Sequence, residues 1–264
     1  MSPTLDDYRD AYRNVAFERR DGVLLVRLHS DGGPLRWEEA AHRELPLAFH
    51  DIGADRDNHV VILTGTGDVF CEELAWETWP PIGTAETQDK ILREARQLLG
   101  RLLDIDVPII GVVNGPARIH AELVLLSDVV LAADTACFQD AVHFQTGGVP
   151  GDGVQVLWPL WLGANRGRSF LLMGDELGAR EAQELGVVRE VLPADRVMDR
   201  AWEIAERFMQ RPPMALRYTR MSLTAGLKRV LAADMPEGLA VQMFNHVAAM
   251  SEGAPRYPVI RDGH

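Results

Sequence analysis

Short unbroken apolar runs punctuate this chain. Residues 60–65 read Val60-Val61-Ile62-Leu63-Thr64-Gly65, and residues 107–113 read Val107-Pro108-Ile109-Ile110-Gly111-Val112-Val113 before closing on Asn114-Gly115-Pro116. A third run, Asp128-Val129-Val130-Leu131-Ala132, is similar. Runs of this length without polar alternation predict strands covered on both faces, as in a parallel sheet. Residues 15–29 predict a hairpin around Arg20-Asp21-Gly22, with Val23-Leu24-Leu25-Val26 buried. Between these strands the period changes. Ile91, Leu92, Ala95, Leu98, Leu99, Leu102 and Leu103 fall at helical spacing over residues 88–105, and residues 37–52 also predict a helix, which Pro46 should kink or interrupt. Helices are expected at 164–174 and 179–185 and a strand at 187–191, and the chain beyond Pro193 reads as helices near 194–210, 212–225 and 227–251. Strands alternating with helices, followed by a helical tail, give an α/β class. The expected division is an α/β core over 1–195 and a helical region over 196–264.

Composition narrows the function classes. Hydrophobic residues make up 47% and charged residues 25%, as in ordinary globular proteins. With 39 acidic against 27 basic residues the net charge is −12, which argues against nucleic acid as a partner. No apolar run approaches a membrane span, and the polar, acidic N-terminus is unlike a secretory signal, so a cytoplasmic location is expected. Cys71 and Cys137 each sit beside a Phe and read as buried small hydrophobes. The eight histidines are scattered, with no metal-ligand pair, so no metal site is expected. No Walker lysine, dinucleotide-binding glycine motif or GxSxG elbow is present, and no cofactor is expected.

The chemistry concentrates in His143-Phe144-Gln145-Thr146-Gly147-Gly148-Val149-Pro150-Gly151-Asp152-Gly153. His143 can take a proton near neutral pH, and Asp152 could fix its tautomer if the glycines between them fold back. With no serine or cysteine nucleophile in view, such a pair would activate water; two loop residues without contact is the alternative. His120 follows the strand and the Asn114-Gly115-Pro116 turn, where α/β proteins place binding residues, although a surface histidine flanking a helix has the same pattern. Glu122 reads either as an acid/base group or as a first-turn carboxylate favoured by the helix dipole. Trp37 could turn its indole N–H into a pocket or simply anchor a loop. Phe70-Cys71-Glu72-Glu73 could offer backbone amides to an anion.

Together these landmarks resemble the crotonase (enoyl-CoA hydratase/isomerase) superfamily over nearly the whole chain. Residues 61–71, the stretch Val107 to Gly115, Ser127-Asp128-Val129-Val130-Leu131-Ala132-Ala133, Gly148-Val149-Pro150-Gly151 and Ala179-Arg180-Glu181-Ala182 carry the likeness. The resemblance implies a spiral of ββα units with a C-terminal helical region that packs a trimer or a dimer of trimers. Hydratases carry glycines where Arg118-Ile119-His120 stands, and a glutamate where His143 stands. These departures are similar to the β-diketone hydrolases of the superfamily, the 6-oxocamphor hydrolase group, which cleave carbon–carbon bonds without coenzyme A. That likeness implies His143, Asp152, His120 and Trp37 as catalytic groups. Gln242 replaces that group's helix glutamate, and with Glu122, Phe70 and Glu72 it is expected at the substrate. The implied reaction is retro-Claisen hydrolysis of a cyclic 1,3-diketone. An acyl-CoA hydratase or isomerase using Glu122, and a non-catalytic binding protein of the same fold, are the alternatives.

Overall fold

The computed structural model describes residues 2–81 and 84–251. After a first-turn helix α1 (Leu5–Tyr8), the predicted hairpin forms as β1 (Val15–Arg20) and β2 (Val23–Leu28), paired antiparallel. The chain then repeats one unit: a long strand, a short strand, a helix. The first turn of this spiral is β2, β3 (Leu35–Trp37) and α2 (Glu39–Ala54); the second is β4 (Val60–Thr64), β5 (Cys71–Leu74) and α3 (Ala85–Asp104). In the third, β6 (Ile109–Val113) leads through a bridge at Ala117 to α4 (Glu122–Leu125). The fourth is β7 (Val129–Ala133), β8 (Cys137–Phe138) and α5 (Ala141–Thr146).

The long strands form a six-stranded sheet in the order β1-β2-β4-β6-β7-β10, where β10 is Glu190–Leu192. Every pair but β1–β2 is parallel. All five residues of β4 and of β6 are buried, which is why neither shows polar alternation. The short strands make a second layer. β3 pairs with β5, and bridges from Cys71 to Ala117 and from Ala117 to Phe138 carry the ladder on. Such two- to four-residue strands have no period of their own, and the sequence reading did not find them.

The other elements are α6 (Val154–Leu162), α7 (Ala164–Met173), β9 (Leu177–Gly178), α8 (Ala179–Glu184), α9 (Val197–Met209) and α10 (Pro213–Ser251). The strand expected at 187–191 is β10, a few residues later. The amphipathic α9 covers one face of the sheet, setting Val197, Ala201, Ile204 and Ala205 against Val23, Ile62 and Val112. Two expectations fail. Pro46 neither ends nor splits α2, whose buried face (Leu45, Ala48, Phe49, Ile52) is held in the main core. The helices expected at 212–225 and 227–251 are one helix, and it continues through Pro236. Residues 252–264 of the expected helical region lie outside the described residues. Tertiary packing outweighs the backbone hydrogen bond lost at Pro46 and at Pro236, and Gly226, at the expected break, lies inside α10.

Buried arginines seat α10. Arg217 pairs with Asp106 and donates to the carbonyl oxygens of Arg56 and Asn58; Arg220 pairs with Asp128 and reaches the carbonyls of Leu103 and Ile105. Farther along, Leu231 joins the main core, and Met235 and Leu239 pack with Ala95 of α3. Cys71 and Cys137 are buried and unbridged. Among the described residues, no helix is long and apolar enough to cross a membrane.

Candidate active site

Successive turns of the spiral bring the ends of their short strands and the starts of their helices to one cavity. Trp37 closes β3, His42 stands on α2, and Leu74, Trp76 and Trp79 follow along and after β5. Ile91 and Ala95 come from α3, His120 from the turn before α4, His143 from α5, and Asp152 from the loop before α6. Leu239, Gln242 and His246 of α10 complete the wall. The lining is largely apolar and aromatic, with histidines and one carboxylate converging on it, which is the usual character of a small-molecule site.

Each of the three histidines nearest the spiral carries a carboxylate on Nδ1. His42 lies 2.8 Å from Glu94, His120 lies 2.6 Å from Glu122, and His143 lies 2.7 and 3.0 Å from the two oxygens of Asp140. With Nδ1–H donated to a carboxylate, the Nε2 of each ring is the nitrogen left for the pocket. The environments then part. Burial pulls the His42 pKa below its ordinary value despite Glu94, so its neutral form is favoured. Burial opposes the charged form of His120 and His143 too, but the neighbouring carboxylates prevail. Glu122 and Asp152 raise His120, while Asp140 and Asp152 lift His143 to about 9. Burial and the nearby His143 charge lower His246.

His120 has a backbone φ of +51°, the left-handed region that a side chain with a Cβ seldom occupies. The conformation is held from both sides: Nδ1 is tied to buried Glu122, and the ring lies against Trp37 with centroids 3.8 Å apart and planes tilted by 39°. Strain kept by surrounding contacts is commonest at functional positions. Trp37 also meets His42 edge-on at 5.9 Å, and its carbonyl accepts hydrogen bonds from the Ala75 amide and the Trp79 indole.

The expected His143–Asp152 hydrogen bond is not made. Asp152 stands 3.8 Å from Nε2, while the Nδ1 partner is Asp140, the N-cap residue of α5 one turn upstream. Gln242 also faces Nε2, at 3.1 Å. Three other expectations are corrected. Phe70, the residue before β5, is wholly inside the main core, and Glu72 is engaged by Arg118 rather than by the cavity. Glu122 is hydrogen-bonded to His120 and does not line the cavity. Asp140, His42, Glu94 and His246 were missed. For Asp140 a signal existed: an acidic residue three positions before His143 at a helix start. His42 had none, because its burial depends on α3 packing across α2.

A sequence model of the enoyl-CoA hydratase/isomerase family matches residues 19–258. A β-diketone hydrolase from the cyanobacterium Anabaena sp., solved with (S)-3-oxocyclohexyl acetic acid, superposes with a TM-score of 0.91 at 44% identity, covering 92% of this chain and 98% of that one. The probable enoyl-CoA hydratase of Rhodobacter capsulatus is 28% identical over 233 residues, covering 85% of this chain and 86% of that protein. The 2,3-dehydroadipyl-CoA hydratase of Escherichia coli is 27% identical over 236 residues, covering 89% and 90%. The spiral of ββα units and the family match agree: this chain belongs to the enoyl-CoA hydratase/isomerase family, the crotonase superfamily.

Proposed function

We propose that this protein hydrolyses a carbon–carbon bond of a cyclic 1,3-diketone to give a keto acid. The observation that carries the reading is the pair of carboxylate-held imidazoles, His120 and His143, facing one apolar cavity from successive turns of the spiral. The likeness to a β-diketone hydrolase supports it. So does chemistry: a 3-oxocyclohexyl acetic acid is what water releases from a bridged bicyclic 1,3-diketone when one bond to the carbon between the carbonyls breaks.

His143 Nε2 takes a proton from water, and the oxygen adds to one carbonyl carbon, moving the π pair onto its oxygen. The tetrahedral adduct collapses to a carboxylic acid as the bond to the central carbon breaks, and that electron pair becomes the enolate of the second carbonyl. His120 lines the same cavity and serves as the donor to the enolate oxygen; Glu122 and Asp152 raise its pKa against burial and so favour its protonated form. Trp37 fixes the ring plane of His120. A preorganised donor of this kind typically contributes roughly 100- to 1000-fold in rate. Return of the proton from His143 to the enolate carbon completes the balance: diketone plus water gives keto acid. Glu122, the residue an acyl-CoA hydratase reading would use, is committed to His120.

Purified protein incubated with bicyclic 1,3-diketones should consume the diketone chromophore and release keto acid, and His143→Ala should lose that activity. Failure of the wild-type protein on a panel of such diketones, or full rate in His143→Ala, refutes the reading. The exposed apolar residues of α10, among them Tyr218, Met221, Leu223 and Phe244, support assembly as a homotrimer or a dimer of trimers. Light scattering on the purified chain checks that stoichiometry.

A further inference from the structure

We propose that Asp140, not Asp152, is the carboxylate that positions His143, holding the proton on Nδ1 so that Nε2 is the basic atom, while Asp152 works on the Nε2 side beside the reacting water. The proposal rests on the reading of His143 as the base, and it divides between two residues the work that spacing alone had given to Asp152.

The geometry separates the two carboxylates by which nitrogen they face. Asp140 is hydrogen-bonded to Nδ1, with both oxygens within 3.0 Å, and is 9% exposed. It sits at the N-cap position of α5, makes no capping bond with its side chain, and reaches His143 across a single turn, so the pair is set by local helix geometry and not by loop closure. Asp152 comes from another segment, between α5 and α6, and approaches the opposite nitrogen at 3.8 Å. That separation exceeds a direct hydrogen bond and suits a water held between two polar groups. Gln242 stands on the same side, 3.1 Å from Nε2. The Oδ1 of Asp152 and the Oε1 of Gln242 are buried without a protein hydrogen-bond partner. Buried orphan acceptors are costly unless something polar satisfies them, and both belong to the group around Nε2.

The placement of Asp152 and Gln242 is itself built into the backbone. A Cβ on Gly151 would run into the Gly238 backbone and come within 2.9 Å of the Gln242 Cβ, so the loop before Asp152 crosses α10 at a glycine–glycine contact. Only that close crossing brings a carboxylate from the loop and an amide from α10 to the same nitrogen of His143. An amide at position 140 could offer its NH2 to Nδ1 and so favour the Nε2–H tautomer, which cannot accept a proton from water.

Long-range 1H–15N NMR of the imidazoles, at a pH where His143 is neutral, tests this directly. The wild-type chain should show His143 protonated on Nδ1; Asp152→Asn should leave that tautomer in place, and Asp140→Asn should move the proton to Nε2. On a bicyclic diketone, Asp140→Asn should lower kcat by about 1000- to 10,000-fold, the loss seen when the carboxylate behind a catalytic histidine becomes an amide, with a much smaller change in KM. A wild-type Nε2–H tautomer, or a tautomer that follows Asp152 and ignores Asp140, overturns the proposal. The wild-type and Asp152→Asn spectra decide it even where Asp140→Asn fails to fold. Because the tautomer is read without substrate, an absence of diketone turnover would refute the proposed reaction and leave this assignment standing or falling on the NMR alone.

Discussion

Replacing Asp152 by Asn removes one negative charge beside His143 and should move the rising limb of the pH–rate profile. The charged and titratable groups facing His143 are Asp140 on its own helix, Asp152 from the α5–α6 loop, His120 and Glu122 from the third turn of the spiral, and His246 on α10. Two carboxylates outweigh burial and lift His143 to about 9. A base with such a pKa is mostly protonated at pH 7, so wild-type kcat/KM should climb with pH and level off only near that value. Asp152 lies 3.8 Å from Nε2. At an effective dielectric of about 20, unit charges at that separation interact by about 4 kcal/mol, or about three pKa units, which is an upper bound because Asn retains a dipole. Removing the anion makes the imidazolium less favourable, so the pKa falls. The expected outcome is a rising limb displaced by one to three units toward acid, with a lower plateau because the grip on water is lost. Diketone loss followed spectroscopically between pH 5 and pH 10, for wild type and Asp152→Asn in parallel, measures it. An unmoved limb, or one displaced to higher pH, refutes the electrostatic account of His143.

Other outcomes follow from the same geometry. His120→Ala should reduce kcat by roughly 100- to 1000-fold, the range for loss of one oxyanion donor, with KM for the diketone changing far less. Gly151→Ala should drive the Asp152 loop and α10 apart, costing about 1–3 kcal/mol of stability as overpacking does and lowering kcat more than an exposed glycine substitution; thermal melts and turnover measured together check it. His143 has a folded pKa above its unfolded value, so its stabilising contribution is full below about pH 6.5 and disappears as pH rises through about 9. The wild-type Tm should therefore decline over that window, and His143→Ala should flatten the decline.

What the sequence disclosed divides by range. β4, β6 and the long period of α3 were legible because each buries a run or a stripe that its own residues spell out. β3, β5, β8 and β9 were not, because strands of two to four residues exist only through the partners the spiral supplies. Pro46 read as a break and residue 226 as a gap between two helices, yet Pro46 and Gly226 both stand inside helices that tertiary contacts hold together. In the site, His143, His120 and Trp37 were singled out from residue type and position, drew their implied roles from resemblance, and do converge on one cavity. The orienting carboxylate was assigned to Asp152 because a glycine-rich loop suggested closure, whereas a cap residue one helical turn away already satisfied Nδ1. His42 and Glu94 meet only because α2 packs on α3, a contact no local pattern encodes.

Hydrolysis of a bridged 1,3-diketone in H2(18)O, with crotonyl-CoA as the comparison substrate, tests the central claim most directly. The account predicts loss of the diketone, a keto acid carrying one 18O in its new carboxyl group, and no comparable hydration of the thioester. Hydration of crotonyl-CoA with the diketone left intact would contradict it.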